Sequence, residues 1–283
     1  MSEVATAADR PPSRLGRDLP AAISVGVALG VVIVASLWFI RELFIVVVAV
    51  AVAVSTWELA GALRRGGGIK VSLWPALIGG QAMLWLAWPL GALGVVAAAA
   101  TTMLACMLWR MPDGPDNFLR DVSASMFTVA YVPFFAAFAA MLVLPLDGTQ
   151  RVLTWMLCVV ASDVGGYAAG VLAGRHPMAP NISPKKSWEG FAGSLIAGSV
   201  AGAICVSELL HGDWRLGAPL GALLVAAATI GDLIESLIKR DLGLKDMGSL
   251  LPGHGGLMDR MDSMLPTALV AWVLLSTFVP TAP

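Results

Sequence analysis

The sequence predicts an all-α, polytopic integral membrane protein with about nine transmembrane helices and a cytoplasmic N-terminus. Three observations predict this class. Of the 283 residues, 58% are hydrophobic and only 13% are charged, whereas a soluble domain carries about 25% charged residues. The mean hydropathy is +0.80. Lysines and arginines also concentrate on one side of the predicted spans, as the positive-inside rule requires.

A helix that crosses a bilayer needs about 20 mostly apolar residues. The sequence contains nine such stretches, at about 20–40, 43–62, 72–89, 91–109, 122–144, 152–173, 190–209, 216–235 and 263–280. The third and fourth are separated only by WPLG, which predicts a tight turn. We expect residues 1–19 to form a disordered cytoplasmic tail and residues 20–283 a single transmembrane helical domain.

The distribution of basic residues predicts the orientation. With the N-terminus inside, 15 lysines and arginines lie on the cytoplasmic side and only Arg41, Arg151 and Arg215 lie outside. This orientation places the two chemically dense loops in the cytoplasm, where nucleotides are found. We therefore expect a multi-pass protein of the cell membrane with an active site that faces the cytoplasm.

Composition argues against two other kinds of site. The formal net charge of -1 gives no indication of a nucleic-acid partner, since such proteins usually carry a basic surface. The three cysteines, Cys106, Cys158 and Cys205, all lie in apolar stretches. This placement is typical of small core hydrophobes and not of a disulfide framework or a zinc site.

Two carboxylates, Asp163 and Asp232, lie inside predicted spans. Intramembrane charges are costly and usually functional, although either could instead pair with a neighbouring cation for packing. On a helix that continues past Asp232, Ser236 and Lys239 follow at i+4 and i+7 and share its face. Glu235 lies four residues before Lys239, a spacing that an ordinary surface ion pair also has.

The segment APNISPKKSWEG, residues 179–190, predicts a helix that starts at Ser183, with Pro184 as its first residue. Lys185 and Lys186 would then lie in a first turn that is already partly positive. That arrangement suits a docked phosphate. Binding of lipid headgroups, or a role only in topology, explains the two lysines equally well.

The segment LLPGHGGLMDRMDS, residues 250–263, precedes the last span. Three glycines surround His254, which suits a backbone that approaches a ligand closely, although His254 could equally make a structural hydrogen bond. Asp259 and Asp262 share one helix face with Arg260 beside them, and could simply be favourable charges at a helix start. Together with Asp232 they would repel one another without a cation, and carboxylates of this kind suit Mg²⁺.

Acidic groups, cations and glycine-rich backbone at one interface are typical of phosphoryl or nucleotidyl transfer. The sequence shows no Ser-His-Asp spacing, no reactive cysteine setting and no Walker loop. An ionised substrate phosphate could serve as the nucleophile, and such an enzyme needs no general base.

The segment SLIKRDLGLKDMGSLLPGHGGLMDRMD, residues 236–262, resembles the signature of the phosphatidate cytidylyltransferase family. Its fixed positions are all present: Ser236, Lys239, Arg240, Lys245, Asp246, Gly248, Pro252, His254, Gly255, Gly256, Asp259, Arg260 and Asp262. SPKKSWEG is similar to the family's SPKKT-x-EG, with Ser187 in place of threonine. SDVGGYAAG is similar to its D-x-x-A-Y segment, with Gly166 in place of alanine. Val171 stands where family members often carry a basic residue.

The resemblance implies that CTP and phosphatidic acid react to give CDP-diacylglycerol and pyrophosphate, with Mg²⁺ as cofactor and an optional second, monovalent cation. It places the catalytic region at about 160–265 of the transmembrane domain. It implies Asp232 and Asp259 as metal ligands and catalytic residues, supported by Asp262. Phosphate neutralisation by Lys239 and Arg260 is also implied. The implied phosphate-binding residues are Ser183, Lys185, Lys186, Ser236 and His254. The partners would be the two substrates and the bilayer, with no nucleic acid and with a homodimer as one option.

Two other functions compete with this interpretation. A CTP-dependent polyprenol or phytol kinase would phosphorylate an alcohol and would need a general base, for which His254 is a candidate. A transporter could use Asp163 and Asp232 to bind ions. However, the charged groups cluster at one face and the sequence shows no internal repeat.

Overall fold

The structure is a computed structural model that describes residues 19–39, 41–251 and 255–279. Its helices are α1 (Leu19–Phe39), α2 (Arg41–Gly67), α3 (Leu73–Arg110), α4 (Phe118–Val129), α5 (Phe135–Val143), α6 (Gly148–Ala173), α7 (Trp188–Glu208), α8 (Trp214–Asp241), α9 (Met258–Met261) and α10 (Met264–Phe278). A 3-10 turn, Met111–Asp113, follows α3, and a π-helical turn, Ala130–Phe134, joins α4 to α5. The strands β1 (Pro177–Ala179) and β2 (Ser183–Ser187) form an antiparallel hairpin. The predicted tail, residues 1–19, lies outside the described residues except for Leu19.

Seven helical segments are long and apolar enough to cross a membrane. They are Glu42–Gly67, Leu73–Asp113, Phe118–Val143, Gly148–Ala173, Trp188–Glu208, Trp214–Asp241 and Met258–Phe278. The part of α1 from Gly26 to Phe39 adds a shorter apolar segment. Helices suit a bilayer because they satisfy their backbone hydrogen bonds internally. The predicted all-α membrane-protein class is therefore confirmed.

The 38 residues of α3 do not form one straight helix. Gly91 has non-helical angles, with φ 56° and ψ -140°, and glycine adopts a positive φ without steric cost. The segments before and after Gly91 lie side by side and run in opposite directions. The hydroxyl of Ser72 donates to the carbonyl oxygen of Cys106 at 3.0 Å, and Gly79 packs directly against Thr102. The chain thus reverses at the last residue of WPLG, where the sequence predicts a tight turn.

Glycines allow α6 and α7 to approach each other closely. A Cβ atom on Gly165 would lie 2.7 Å from the carbonyl oxygen of Gly193, and one on Gly193 would lie 2.6 Å from that of Gly165. Small residues permit such contacts in membrane bundles, whose interfaces depend on van der Waals packing. Glycine contacts also join α7 to α8. This packing brings polar side chains of α6 and α8 to one cleft.

A buried ion pair fixes the last turn of α10 to α6. Arg151 is 1% exposed, and its Nε donates to Oδ1 of Asp147 at 2.7 Å. Its two terminal nitrogens donate to the carbonyl oxygens of Leu275 and Val279 at 2.8 and 2.9 Å. The planar guanidinium offers several donors at once, so one side chain binds both carbonyl groups at this end of α10. That of Leu275 also accepts from the backbone N–H of Val279 at 3.2 Å.

The interior between the helices is apolar and includes the three cysteines. Cys106, Cys158 and Cys205 are buried free thiols. Cys106 and Cys158 belong to the main apolar core, and Cys205 is 6% exposed on α7. The prediction that they are small core hydrophobes is confirmed.

The prediction of a helix that starts at Ser183 is wrong. Residues 183–187 form strand β2, so Lys185 and Lys186 lie on a strand and not in the first turn of a helix. The local pattern is ambiguous because the φ angle of Pro184 fits an extended strand as well as a helix start. Pairing with β1 decides between the two, and that contact is not visible in the segment itself.

The helix begins at Trp188, where Ser187 is the N-cap. The hydroxyl oxygen of Ser187 accepts from the backbone N–H of Gly190 at 3.1 Å. Serine satisfies one of the free N–H groups of a first helical turn in this way. The residue that replaces threonine in the SPKKT-x-EG pattern is therefore the cap of α7.

Candidate active site

A cleft of about 630 Å³ lies between strand β2, the C-terminal part of α8 and the segment that leads into α10. Among the described residues, all those that line it are polar or charged. Six are acidic and four are basic: Asp163, Asp232, Glu235, Asp246, Asp259 and Asp262, with Lys186, Lys239, Lys245 and Arg260. Charges of both signs that converge beside membrane-spanning helices indicate a functional site.

The cleft brings together eight of the ten predicted site residues. They are Ser183, Lys186, Asp232, Ser236, Lys239, Asp259, Arg260 and Asp262. Lys185 is exposed and lines two neighbouring cavities instead. His254 lies outside the described residues. Two signature positions for which the sequence suggests no role, Lys245 and Asp246, also line the cleft.

Lys239 joins α8 to α9 through two ion pairs. Its ammonium group pairs with Glu235, one turn earlier on α8, and donates to Oδ1 of Asp259 at 2.9 Å. Glu235 is 1% exposed and Asp259 is 8% exposed. Buried carboxylates need an opposite charge nearby, and Lys239 supplies it to both. The Glu235–Lys239 pair is therefore part of the site and not an exposed helix-surface pair.

The loop before α9, of which residues 242–251 and 255–257 are described, also holds Asp259. Its Oδ2 accepts from the backbone N–H groups of Met247 and Gly256, each at 2.9 Å. Gly255 has a φ of 81°, and a Cβ atom there would lie 3.1 Å from oxygens of both Asp246 and Asp259. The glycine-rich backbone thus approaches a carboxylate of the site at close range.

Asp232 on α8 interacts with β2 and with the residue that follows α9. Lys186 on β2 forms an ion pair with it, and the side chain of Asp262 contacts it directly. Asp163 on α6 lies close enough to interact electrostatically with Asp232, Lys186 and Arg260. Lys186 therefore faces the carboxylate cluster, which favours a role in the site over a role only in topology.

Glu189, in the first turn of α7, fixes the β1–β2 hairpin. Its Oε2 accepts from the backbone N–H groups of Arg175 and His176 at 3.1 and 3.2 Å, and its Oε1 lies 2.5 Å from Nδ1 of His176. The backbone N–H of Trp188 donates to the carbonyl oxygen of His176 at 2.9 Å. Both ends of the hairpin are thus attached to the start of α7, which keeps Lys186 beside α8.

Two further cavities share residues with the cleft. The larger, of about 590 Å³, is basic, with Lys185, Lys239, Arg240 and Lys245 in its lining. The smaller, of about 240 Å³, lies between α6 and α7 and combines Tyr167 and Phe191 with Asp163, Lys185 and Lys186. Ammonium and guanidinium groups suit phosphates, so the larger cavity extends the region in which an anion can bind.

An apolar cavity of about 330 Å³ also borders α9. Leu257, Met261 and Met264 line it together with aliphatic side chains from α1, α2, α5 and α6. Arg260 is its charged residue and lines the polar cleft as well. A lipid could therefore place its headgroup and an acyl chain on matching surfaces to either side of Arg260.

The residues of the cleft fit a magnesium ion. Asp232 and Asp262 contact each other, and two ionised carboxylates so close repel unless a cation lies between them. Oε1 of Glu235 is buried and has no hydrogen-bond partner in the described part of the chain. Within residues 19–39, 41–251 and 255–279, no three His, Cys, Asp or Glu side chains form a complete metal site. Mg²⁺ suits such a place because it takes one or two carboxylates and completes its shell with water and substrate phosphates.

Sequence reasoning missed two residues of α2 that contact the loop before α9, Glu58 and Arg65. Arg65 donates to the carbonyl oxygen of Met247 at 2.6 Å, and Glu58 accepts from the backbone N–H of Met258 at 2.8 Å. One signal could have identified Glu58. It is an acidic residue inside a predicted span, in VSTWELAGAL, which is the criterion that selects Asp163 and Asp232.

Comparison with known proteins agrees with the geometry. The model of the cytidylyltransferase family matches residues 20–278. The phosphatidate cytidylyltransferase of Mycobacterium bovis is 50% identical over 277 residues, which cover 93% of this chain and 90% of the relative. That of Mycobacterium tuberculosis (strain H37Rv) is 50% identical, with 93% and 84% covered, and that of Mycobacterium leprae is 50% identical, with 93% and 89% covered.

The similarity extends well beyond the signature segment. The sequence motifs fall within about 160–265, whereas the family match begins at residue 20 and includes the first five helices. The resemblance predicted from the motifs is confirmed, and the chain belongs to the cytidylyltransferase family.

Proposed function

We propose that this chain is a phosphatidate cytidylyltransferase, which converts CTP and phosphatidic acid to CDP-diacylglycerol and pyrophosphate. The observation that carries the proposal is the cleft, where six carboxylates and four cations from separate segments converge beside membrane-spanning helices. Relatives that are 50% identical over 93% of the chain carry the name phosphatidate cytidylyltransferase, which supports the choice of substrates.

In the proposed reaction an oxygen of the phosphatidate phosphate attacks the α-phosphorus of CTP. The new bond joins this oxygen to the α-phosphorus, and the bond between the α-phosphorus and the bridging oxygen of the β-phosphate breaks. Pyrophosphate leaves with that electron pair. The nucleophile is already ionised, so the chain has to supply position and charge neutralisation and no general base.

The cations of the cleft have two tasks in this proposal. Lys239 and Arg260 offset the repulsion between two anionic substrates. Lys245 lines both the cleft and the basic cavity and so extends the positive charge from one to the other, and Lys186 adds a cation beside Asp232. Ser183 and Lys185, both on strand β2, bind substrate phosphates. Ser236 lies one helical turn after Asp232 and supports the same centre.

Mg²⁺ is the proposed cofactor, with Asp232 and Asp259 as its protein ligands, Asp262 in support and room for a second, monovalent cation. When bound, Mg²⁺ neutralises phosphate charge and stabilises the departing pyrophosphate. The chain's own residues keep this acidic centre ready: Lys239 holds Asp259, and Lys186 holds Asp232, until a cation and substrates compete for the carboxylates.

The apolar cavity beside Arg260 accounts for the lipid substrate. An acyl chain in this cavity, with the headgroup at Arg260, would let phosphatidate react without leaving the bilayer. The acyl chain passes from one apolar surrounding to another, so the cavity would act through van der Waals packing. A chain held in this way would help to orient the phosphate toward CTP.

A product assay tests the proposed function. Purified protein in mixed micelles is expected to convert labelled CTP and phosphatidic acid to CDP-lipid and pyrophosphate in equal amounts, and EDTA is expected to stop the reaction because the metal is removed. Chromatography of the lipid phase and pyrophosphate release give the two readouts. CDP together with a phosphorylated lipid alcohol would instead identify a CTP-dependent lipid kinase and refute the proposal.

We also propose nine spans with a cytoplasmic N-terminus, in a single transmembrane domain formed by residues 20–283, and a cleft that opens to the cytoplasm from the cell membrane. The reversal of α3 at Gly91 supports the count, since it divides one long segment into two. The excess of lysine and arginine in alternate loops supports the orientation. The homodimer and the lack of a nucleic-acid partner stay predictions.

Single cysteines test this topology. In a variant in which Cys106, Cys158 and Cys205 are replaced by serine, a membrane-impermeant maleimide added to intact cells is expected to label Leu146→Cys and His211→Cys, which lie in proposed outer loops. Asp116→Cys, in an exposed inner loop, is expected to react only after permeabilisation. The reverse pattern would overturn the orientation, and labelling of all three in intact cells would overturn the alternation of loops.

A further inference from the structure

Helix α2 is the support on which the loop before α9 rests. It contacts this loop and α9 at three places along its length. Nη2 of Arg65 donates to the carbonyl oxygen of Met247, and the hydroxyl of Ser55 contacts Sδ of Met261 at 3.2 Å. The third contact, through Glu58, lies between these two on α2. The described residues of this loop, 242–251 and 255–257, belong to no helix and to no strand longer than one bridge, so their position depends on such contacts.

Glu58 is a buried acid with an incomplete set of partners. It is 2% exposed. Its Oε2 accepts from the backbone N–H of Met258 at 2.8 Å, whereas its Oε1 is buried without a hydrogen-bond partner in the described ranges. Burial of a carboxyl group in an apolar helix bundle is costly unless it is well bonded. Packing alone would be served better by a leucine at this position, which indicates a specific task for the acid.

The carboxyl group of Glu58 lies directly against the backbone of two loop glycines. A Cβ atom on Gly256 would be 2.5 Å from Oε2 and 2.8 Å from both Cδ and Oε1 of Glu58, and Gly248 is even closer. A Cβ atom less than 3.0 Å from a neighbour forces something to shift, and at Gly256 the group that would have to move is the buried carboxyl group of Glu58. Glycine at Gly248 and Gly256 is therefore what allows Glu58 to reach the loop.

Gly256 is held from two sides. Its backbone faces Glu58, and its N–H donates to Oδ2 of Asp259 at 2.9 Å. Met258, whose N–H donates to Glu58, is the residue directly before Asp259. A shift of the Glu58 carboxyl group would therefore move the two backbone units that set the place of Asp259 relative to Lys239.

We propose that Glu58 is a positioning residue for the reaction: from α2 it fixes Gly256 and Met258 and thereby aims Asp259 into the cleft. This inference rests on the proposed function of the cleft. Glu58 acts through hydrogen-bond acceptance and fit, and not through contact with a substrate. Through Glu58, the N-terminal half of the chain would contribute to the site, although this half contains no sequence motif.

Two variants, Glu58→Gln and Glu58→Leu, test whether the hydrogen-bond acceptor at Glu58 is needed for activity. Glutamine keeps an acceptor for the N–H of Met258 and is expected to retain most of the activity. Leucine fills the space without an acceptor and is expected to lower kcat by about 10- to 100-fold, since a displacement of about 1 Å can cost this much, while KM for CTP changes little. Glu42→Leu, at an exposed position on the same helix, is the matched control and is expected to behave like the wild type.

A double-mutant cycle tests the close packing of the Glu58 carboxyl group against Gly256. Gly256→Ala is expected to lower kcat because the new methyl group meets Glu58. In a Glu58→Ala background the same change is expected to cost much less, since the opposing side chain is gone. Equal losses in both backgrounds would overturn the proposal, as would Glu58→Leu with wild-type kcat or Glu58→Gln as inactive as Glu58→Leu.

Hydrogen–deuterium exchange separates this inference from the proposed function. Exchange of the backbone N–H groups at Met247, Gly256 and Met258 is expected to rise in Glu58→Leu relative to the wild type and Glu42→Leu, with no substrate present. Unchanged exchange would refute the positioning role whatever the enzyme makes. A wild-type protein that makes no CDP-lipid would refute the proposed function and leave the exchange result to be judged by itself.

Discussion

Replacement of Asp259 by asparagine is expected to lower cytidylyl transfer by about 10²- to 10³-fold, comparable to the loss of one preorganised electrostatic group in an active site. The structure gives the reason. Asparagine keeps an oxygen that can accept from the N–H groups of Met247 and Gly256, so the loop stays in place. It loses the negative charge that Lys239 and the proposed Mg²⁺ share. The variant is therefore expected to fold normally and to turn over poorly.

Three variants and two readouts make this test specific. Asp259→Ala removes the loop acceptor as well and is expected to lose stability together with turnover. Asp213→Asn is the control, because it lies at the exposed N-cap of α8, where asparagine caps as well as aspartate. Turnover is measured over a range of Mg²⁺ concentrations, and stability by thermal unfolding in detergent. Near-normal turnover by folded Asp259→Asn at ordinary Mg²⁺ would refute the assignment of Asp259 as a metal ligand.

Much of the fold follows from hydropathy, because the bilayer imposes a length and a composition on each span. The reversal of α3 is also visible in the sequence, since Pro89 and Gly91 interrupt an apolar stretch too long for one span. The β1–β2 hairpin is not visible in this way. Ser183 and Pro184 satisfy the rules for a helix start, and only the pairing with β1 and the cap at Ser187 show that the helix begins later.

Some contacts of the candidate site could likewise be predicted from local sequence patterns, and others could not. Asp232, Ser236 and Lys239 could be placed on one face by helical spacing, and the cleft indeed contains all three. Glu58 lies 200 residues from Met258, whose N–H it accepts, so no local pattern could reveal that contact. The role of Glu235 was ambiguous in the sequence, because its i, i+4 pair with Lys239 has the same spacing whether the pair is exposed or buried. In the structure Glu235 is 1% exposed, and Lys239, its partner, also pairs with Asp259 on α9.

The second large effect is expected at Lys239. Lys239→Met removes the cation shared by Glu235 and Asp259 while a chain of similar length keeps the packing. Two carboxylates, 1% and 8% exposed, then lack their counter-charge. Removal of one partner from a buried ion pair costs about 3–5 kcal/mol, so the free energy of unfolding is expected to fall by an amount of this order. Turnover is expected to fall by about 10²-fold or more, since phosphate neutralisation is lost as well.

A compensating change separates these two effects. In the double variant Lys239→Met/Glu235→Gln, the buried negative charge one turn before the substituted lysine is gone, so much of the stability is expected to return, whereas the activity is not. Lys70→Met, at an exposed lysine outside the cleft, is expected to alter neither quantity. Recovery of turnover together with stability in the double variant would show that Lys239 serves only the fold. Stability without turnover would show that its charge also acts on the substrates, because the cleft would be intact and only the cation missing.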